Sequence, residues 1–304
     1  MAFTKESGVI ILGHPRSGTT LLRRILNGHE NLHCPGETHV LNSCARFIQA
    51  EKTAHGLDMG ILSGMHFAGI SEEEIINQVR NLGFSLLEQA STKKLGKRWV
   101  EKTAVDSNYI DEIDQLFGEH AYFIGIVRHG LDVAISSKDF SDATGMYLNM
   151  FKPYINQYQQ PLEALLRSWV NVTTDLLNFS QKHPENCLLI RYEDLIDEPE
   201  EVLSHILEFI GEDFSPEIIS EGLENTSELG LSDHKCLQQS KVTKVNSKRW
   251  ELLSDFQLNH LSKIANPLLE MLGYDKIETL NSVSKEDALR NYELGLMVNA
   301  NKIN

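Results

Sequence analysis

The chain alternates short apolar runs with stretches of helical spacing, and the first such pair is the most informative. Val9–Gly13 is a continuous apolar run that closes on glycine, the pattern of a strand buried on both faces. Thr19–Leu26 follows, with Leu21, Leu22, Ile25 and Leu26 recurring at helical spacing, which predicts a helix. Strand, glycine-bearing loop and helix make a first βα unit. Ser71–Ala90 predicts another helix, with Ser71 as N-cap and Glu72, Glu73 and Glu74 in the first turn, where the helix dipole favours acids. Arg98–Glu101 reads as a short strand. Tyr122–Val127 is a second strong apolar run, followed by Arg128-His129-Gly130 and a helix from Leu131. Cys187–Ile190 is a third, ending in Arg191-Tyr192-Glu193-Asp194. Pro199–Ile210 predicts an amphipathic helix with proline at its start, where no backbone N–H is needed. Strands alternating with helices predict an α/β fold, a central parallel sheet flanked by helices on both faces. No repeat or low-complexity linker divides the 304 residues, so a single domain over 1–304 is expected, with a tail from about 286 to 304 at its periphery.

Charge narrows the partners. Lysine and arginine total 28 against 43 acids, a net charge of -15, which speaks against nucleic acid. An anionic ligand would need a local basic site. No run approaches the roughly 20 apolar residues of a membrane span. The opening residues are polar and Val9–Leu12 is too short for a signal peptide, so a cytoplasmic chain is expected. Cys34, Cys44, Cys187 and Cys236 show no CxxC or metal spacing and read as free or buried thiols; no metal is expected. The sequons at Asn171, Asn178 and Asn225 read as chance.

The first loop carries chemistry. Gly13-x4-Gly18 approaches the Walker A pattern but has Thr19 where that pattern requires lysine. The cation is Arg16, two residues before Gly18. Backbone N–H groups and a helix N-terminus remain available to an anion. Three hydroxyls (Ser17, Thr19, Thr20) and an arginine in one turn are a poor choice for simple packing. No apolar strand ends in an aspartate placed to hold Mg²⁺. A P-loop kinase and a nucleotide-binding regulatory module are the rival readings.

Gly13-His14-Pro15-Arg16-Ser17-Gly18-Thr19-Thr20-Leu21 after a strand resembles the 5′-phosphosulfate loop of sulfotransferases that use 3′-phosphoadenosine-5′-phosphosulfate (PAPS), especially the tyrosylprotein and bacterial kinds. The resemblance implies a P-loop-like three-layer fold, PAPS as donor, 3′-phosphoadenosine-5′-phosphate (PAP) as product and no metal. It implies that Arg16, Ser17, Gly18, Thr19 and Thr20 hold the phosphosulfate. Arg128 and Ser136, eight residues apart, would hold the 3′-phosphate, and Tyr192 would lie near the nucleotide. The basic segment Lys241–Trp250 resembles the family's segment that closes over the nucleotide, which brings in Lys244 and Asn246, although Lys244 stands where the family has proline. Cys34-Pro35-Gly36-Glu37-Thr38-His39 resembles the stretch that bears the catalytic glutamate of tyrosylprotein enzymes. Glu37 is then the general base, and His39, where the family has arginine, is the rival. Lys102 in Glu101-Lys102-Thr103 would contact the leaving oxygen, and Ser232 would assist at the sulfuryl group. The acceptor implied is a hydroxyl: a peptide tyrosine, or a carbohydrate, lipid or carrier-bound acyl hydroxyl. A homodimer is compatible with the reading. Ser43–Gly69 and Asp139–Gln160 read as acceptor-side insertions.

Overall fold

The computed structural model describes residues 8–56, 58–224 and 248–278. In chain order the strands are β1 (Val9–Leu12), β2 (Leu32–His33), the exposed pair β3 (Glu51–Lys52) and β4 (Asp58–Met59), β5 (Arg98–Glu101), β6 (Tyr122–Val127) and β7 (Cys187–Arg191). The helices are α1 (Thr19–Leu26), α2 (Val40–Ile48), α3 (Ile61–Phe67), α4 (Glu72–Ala90), α5 (Thr92–Leu95), α6 (Ile110–Phe117), α7 (Gly130–Thr144), α8 (Lys152–Gln157), α9 (Pro161–Lys182), α10 (Tyr192–Asp197), α11 (Pro199–Ile210), α12 (Glu217–Glu224) and α13 (Asp255–Met271).

The main sheet runs β2-β5-β1-β6-β7, every neighbouring pair parallel. Side chains alternate across its central strand. Ile10 and Leu12 enter one core with Leu41, Phe117 and Trp169; Val9 and Ile11 enter the other with Leu22, Ile25, Leu203 and Ile206. Helices α2, α4, α6, α7, α9 and α13 line the first core, and α1, α10, α11 and α12 line the second. The result is the expected three-layer α/β arrangement. Each fully buried leucine or isoleucine contributes about 1.5–3 kcal/mol through removal from water.

Local chemistry sets the boundaries. Ser71 Oγ accepts the Glu74 N–H at 3.3 Å while a Glu74 carboxylate oxygen accepts the Ser71 N–H at 2.9 Å, so α4 opens on a reciprocal cap. The strand expected to reach Gly13 ends at Leu12, and α7 begins at Gly130 rather than Leu131. The two presumed insertions hold more structure than expected. Ser43–Gly69 contains the end of α2, the β3–β4 pair and α3. Asp139–Gln160 contains the end of α7, a 3₁₀ turn at Asn149–Phe151 and α8. Leu41, Cys44, Ala45 and Ile48 repeat at helical spacing and are buried, which carries α2 into the first of them.

Strand order places the chemistry. β1 is followed in space by β5 on one side and β6 on the other, so the chain switches direction around β1. Clefts for ligands form at the carboxyl ends of strands beside such a switch. Gly13, Lys102 and Arg128 each directly follow one of these three strands. Among the described residues, no helix is long and apolar enough to cross a membrane. Cys34, Cys44 and Cys187 are buried, and no disulfide joins them to one another.

Candidate active site

The loop after β1 is built for close approach. A Cβ on Gly13 would sit 2.6 Å from the Ile126 carbonyl oxygen, and one on Gly18 would sit 2.3 Å from the Tyr192 ring. Gly18 has φ 98° and Arg16 has φ 76°, so the turn also needs left-handed backbone at two positions. Ser107 Oγ bonds both Gly13 N (2.7 Å) and Gly13 O (3.0 Å), which ties the loop to the segment after β5. Ser17 is 1% exposed, and its hydroxyl has no hydrogen-bond partner among the described residues. An unsatisfied hydroxyl inside a turn of backbone N–H groups fits an anion. Thr19 opens α1 and is buried; Thr20 is half-buried beside it.

His14 holds the same loop from behind. It is 1% exposed, its ring contacts Ser168 Oγ through Nε2 at 3.2 Å, and it stacks on Phe151 with centroids 5.7 Å apart. Burial pushes its imidazole down to about 4, with the Pro15 carbonyl opposing. A folded value below the unfolded 6.5 means that neutral His14 supports the fold fully above about pH 6.5 and that this support fades as pH falls toward 4. Chemical denaturation of wild type and His14→Gln should therefore show their stability gap shrinking by about 2 kcal/mol between pH 7 and pH 5. A gap independent of pH would mean that His14 is not held neutral.

Arg128 sits at the end of β6, 5% exposed, with its guanidinium 4.6 Å from the Tyr192 ring centroid. Its Nη1 donates to the Arg16 carbonyl at 3.0 Å, and Arg16 Nε donates to Ser136 Oγ at 3.2 Å. Arg16, Arg128, Ser136 and Tyr192 are thus one contiguous group, with the Arg16 guanidinium also 5.5 Å from the Phe140 ring centroid. The Trp169 indole N–H donates to the Arg128 carbonyl at 3.1 Å, and the Trp169 ring leaves no room for a Cβ on Gly130. Asp132 accepts the N–H groups of Lys248 (2.8 Å) and Trp250 (3.3 Å), which seats the end of the basic segment beside His129. Trp250 stacks on His129 with centroids 5.0 Å apart. Lys244, Asn246 and Ser232 lie outside the described residues.

The third strand end brings carboxyl groups to a buried lysine. Lys102, 1% exposed, places Nζ 2.6 Å from Glu37 Oε1 and 3.3 Å from Thr20 Oγ1. The sequence readings for Glu37, Lys102 and the phosphate loop therefore meet at one point. Burial pushes the Glu37 carboxyl up, but the Lys102 charge, its hydrogen bond, the Ala104 N–H and His39 together pull it below the usual carboxylate value. Glu101, fully buried, goes the other way: burial lifts it to about 7, although it accepts from Thr103 Oγ1 (2.7 Å) and Thr38 Oγ1 (2.8 Å). Two carboxyls flanking one lysine are pushed apart, which leaves Glu37 as the ionised one near neutrality. Glu101 also braces the turn that bears Glu37. Thr103 Oγ1 accepts the His39 N–H at 3.2 Å, and His39 holds φ 57° at the start of α2. Behind it, Asp106 is buried, accepts from Asn42 Nδ2 at 2.7 Å, and is pushed up by burial. Sequence reasoning gave no role to Glu101, Asp106 or His14. The only signal was the oddity of an acid ending an otherwise buried strand.

Comparison with known proteins agrees with this geometry. The profile described as the sulfotransferase family matches residues 8–216. Protein-tyrosine sulfotransferase A of Caenorhabditis elegans is 24% identical over 292 residues, 92% of this chain and 70% of that protein. The protein-tyrosine sulfotransferase of Drosophila melanogaster is 23% identical over 301 residues, and the chain spans 56% of its length. The sulfotransferase domain from the curacin biosynthetic pathway superposes with a TM-score of 0.62 at 19% identity, covering 91% of this chain and all of that domain. A phosphate-type loop without the Walker lysine, arginines gathered beneath it and a family profile that runs from β1 past α11 all lead to the same conclusion: this chain belongs to the sulfotransferase family.

Proposed function

We propose that the protein transfers a sulfuryl group from PAPS to a hydroxyl acceptor, with Glu37 as general base and Lys102 at the leaving oxygen. One observation carries the reading: Lys102 Nζ contacts both Thr20 of the phosphate loop and the Glu37 carboxylate. The 5′-phosphosulfate would lie on the loop N–H groups, with Ser17, Thr19, Thr20 and Arg16 as partners. Arg128 and Ser136 would take the 3′-phosphate through charge-assisted bonds, beside Tyr192. The acceptor oxygen attacks sulfur from the side opposite the bridging oxygen. Its proton passes to Glu37 as the new S–O bond forms. The old S–O bond breaks, its electron pair stays on the bridging oxygen, and Lys102 stabilises the charge that grows there. PAP is then released.

The protein-tyrosine sulfotransferases among the relatives support a peptide tyrosine as acceptor. Incubation with ³⁵S-labelled PAPS and tyrosine peptides, followed by mass spectrometry, should give product carrying one sulfuryl group. PAP should bind in calorimetry without added metal. If PAP binds and no hydroxyl compound receives label, the transferase reading fails.

A further inference from the structure

A cavity of about 650 Å³ opens beside the proposed base. It shares His39 with the base-bearing turn and is floored by Val105 and Asn108 from the segment that follows β5. Its walls join the two stretches that the sequence marks as acceptor-side: Arg46 and Gln49 come from α2 and the residue after it, Leu148 to Tyr154 from the other. The volume lies in the range, about 300–1,000 Å³, of sites for small ligands.

The lining decides what fits. No carboxylate lines the cavity, although the protein carries a net charge of -15. Two acids bonded to lining residues are engaged: Asp106 accepts from the Asn42 amide at 2.7 Å, and Glu112 accepts from Gln49 at 2.8 Å. Arg46 is the one arginine or lysine in the lining. Arg46 is exposed, and its Nε and Nη2 donate to Asn42 O (3.1 Å) and Asn42 Oδ1 (2.9 Å), with a longer contact to Ser43 Oγ at 3.4 Å, so its own helix orients the guanidinium. Among the described residues Arg46 has no ion pair, and its Nη1 has no hydrogen bond. An oriented guanidinium with donors to spare recognises a carboxylate or phosphate in preference to a neutral group.

We infer that this cavity is the acceptor site and that it selects hydroxyl compounds carrying an anionic group, read by Arg46. The inference rests on the transferase reading above and names its substrate class. The anion would sit at the Arg46 end and the hydroxyl at the Glu37 end, next to His39.

The test uses paired acceptors that differ only in charge, with ³⁵S-labelled PAPS: 4-hydroxyphenylacetate and its amide, 3-hydroxybutyrate and its amide, glucuronate and its amide. At least one anionic member should exceed its neutral partner by about tenfold in kcat/KM. Arg46→Gln should bring that ratio close to one through KM, and Arg46→Lys should restore part of it. PAP affinity, read by calorimetry, should be the same in all three proteins. Equal rates within every pair, or a preference that survives Arg46→Gln, would overturn the assignment, as would a PAP-binding protein that sulfates no member of the panel. Failure of PAP to bind wild-type protein would instead sink the donor reading, and the acceptor assignment with it.

Discussion

Glu37→Gln is expected to lower kcat by about 10²- to 10⁴-fold, the usual contribution of a positioned base. Glutamine keeps the shape of the side chain and an oxygen for the Lys102 and Ala104 donors that Glu37 now accepts, at 2.6 and 3.4 Å. It cannot take a proton from the acceptor. PAP affinity should stay within about threefold of wild type, because the donor's phosphates are held by other residues. Rapid-quench measurement of labelled transfer, paired with PAP calorimetry, separates the two quantities. Near-normal kcat would move the base role to His39, whose exposed ring lies two residues away, and His39→Asn would then become the slow variant.

The second large effect belongs to the donor. Arg128→Ala is expected to weaken PAP binding by about 10- to 100-fold, the equivalent of one or two charge-assisted hydrogen bonds. The site makes this arginine hard to replace. Trp169 fixes its carbonyl, the Tyr192 ring supports its guanidinium, and its Nη1 already reaches the Arg16 carbonyl in the loop. Alanine removes the charge and leaves both the ring and the loop carbonyl without their partner. Loss of affinity should be smaller at high salt, where screening already weakens the phosphate contact. An unchanged PAP dissociation constant would mean that the 3′-phosphate lies elsewhere.

How far the sequence reached can be read from individual residues. β1, β6 and β7 are legible because each is a mostly apolar run, and β5 because Trp99 and Val100 stand as a short apolar pair between charged residues. β2 was not: its two residues, Leu32 and His33, pair with Arg98 and Trp99, a contact no local pattern reveals. α2 escapes the sequence pattern because its apolar repeat is split between the Glu37 turn and a presumed insertion. Motif order singled out Arg16, Glu37, Lys102 and Arg128, and the structure brings Lys102 to Glu37 and Arg128 to Arg16. What stayed hidden is the support behind those groups. Thr38 and Glu101 are 63 residues apart in the chain and 2.8 Å apart in space. His14 and Ser168 are separated by 154 residues. Spacing rules see neighbours along a helix or strand, and these partners meet only once the sheet has formed.

The placement of Lys102 has a consequence for the order of events. One ammonium group lies between the loop that would receive the donor and the carboxylate that would activate the acceptor. While the donor seat is empty, that carboxylate is engaged by lysine and is a poor proton acceptor. Arrival of the donor would offer the lysine a second anion, the phosphosulfate, and loosen its hold on Glu37. On the proposed reading the contact works as a safety catch: an acceptor that enters first meets a muted base, and its hydroxyl is readied for attack only once there is a sulfuryl group to receive.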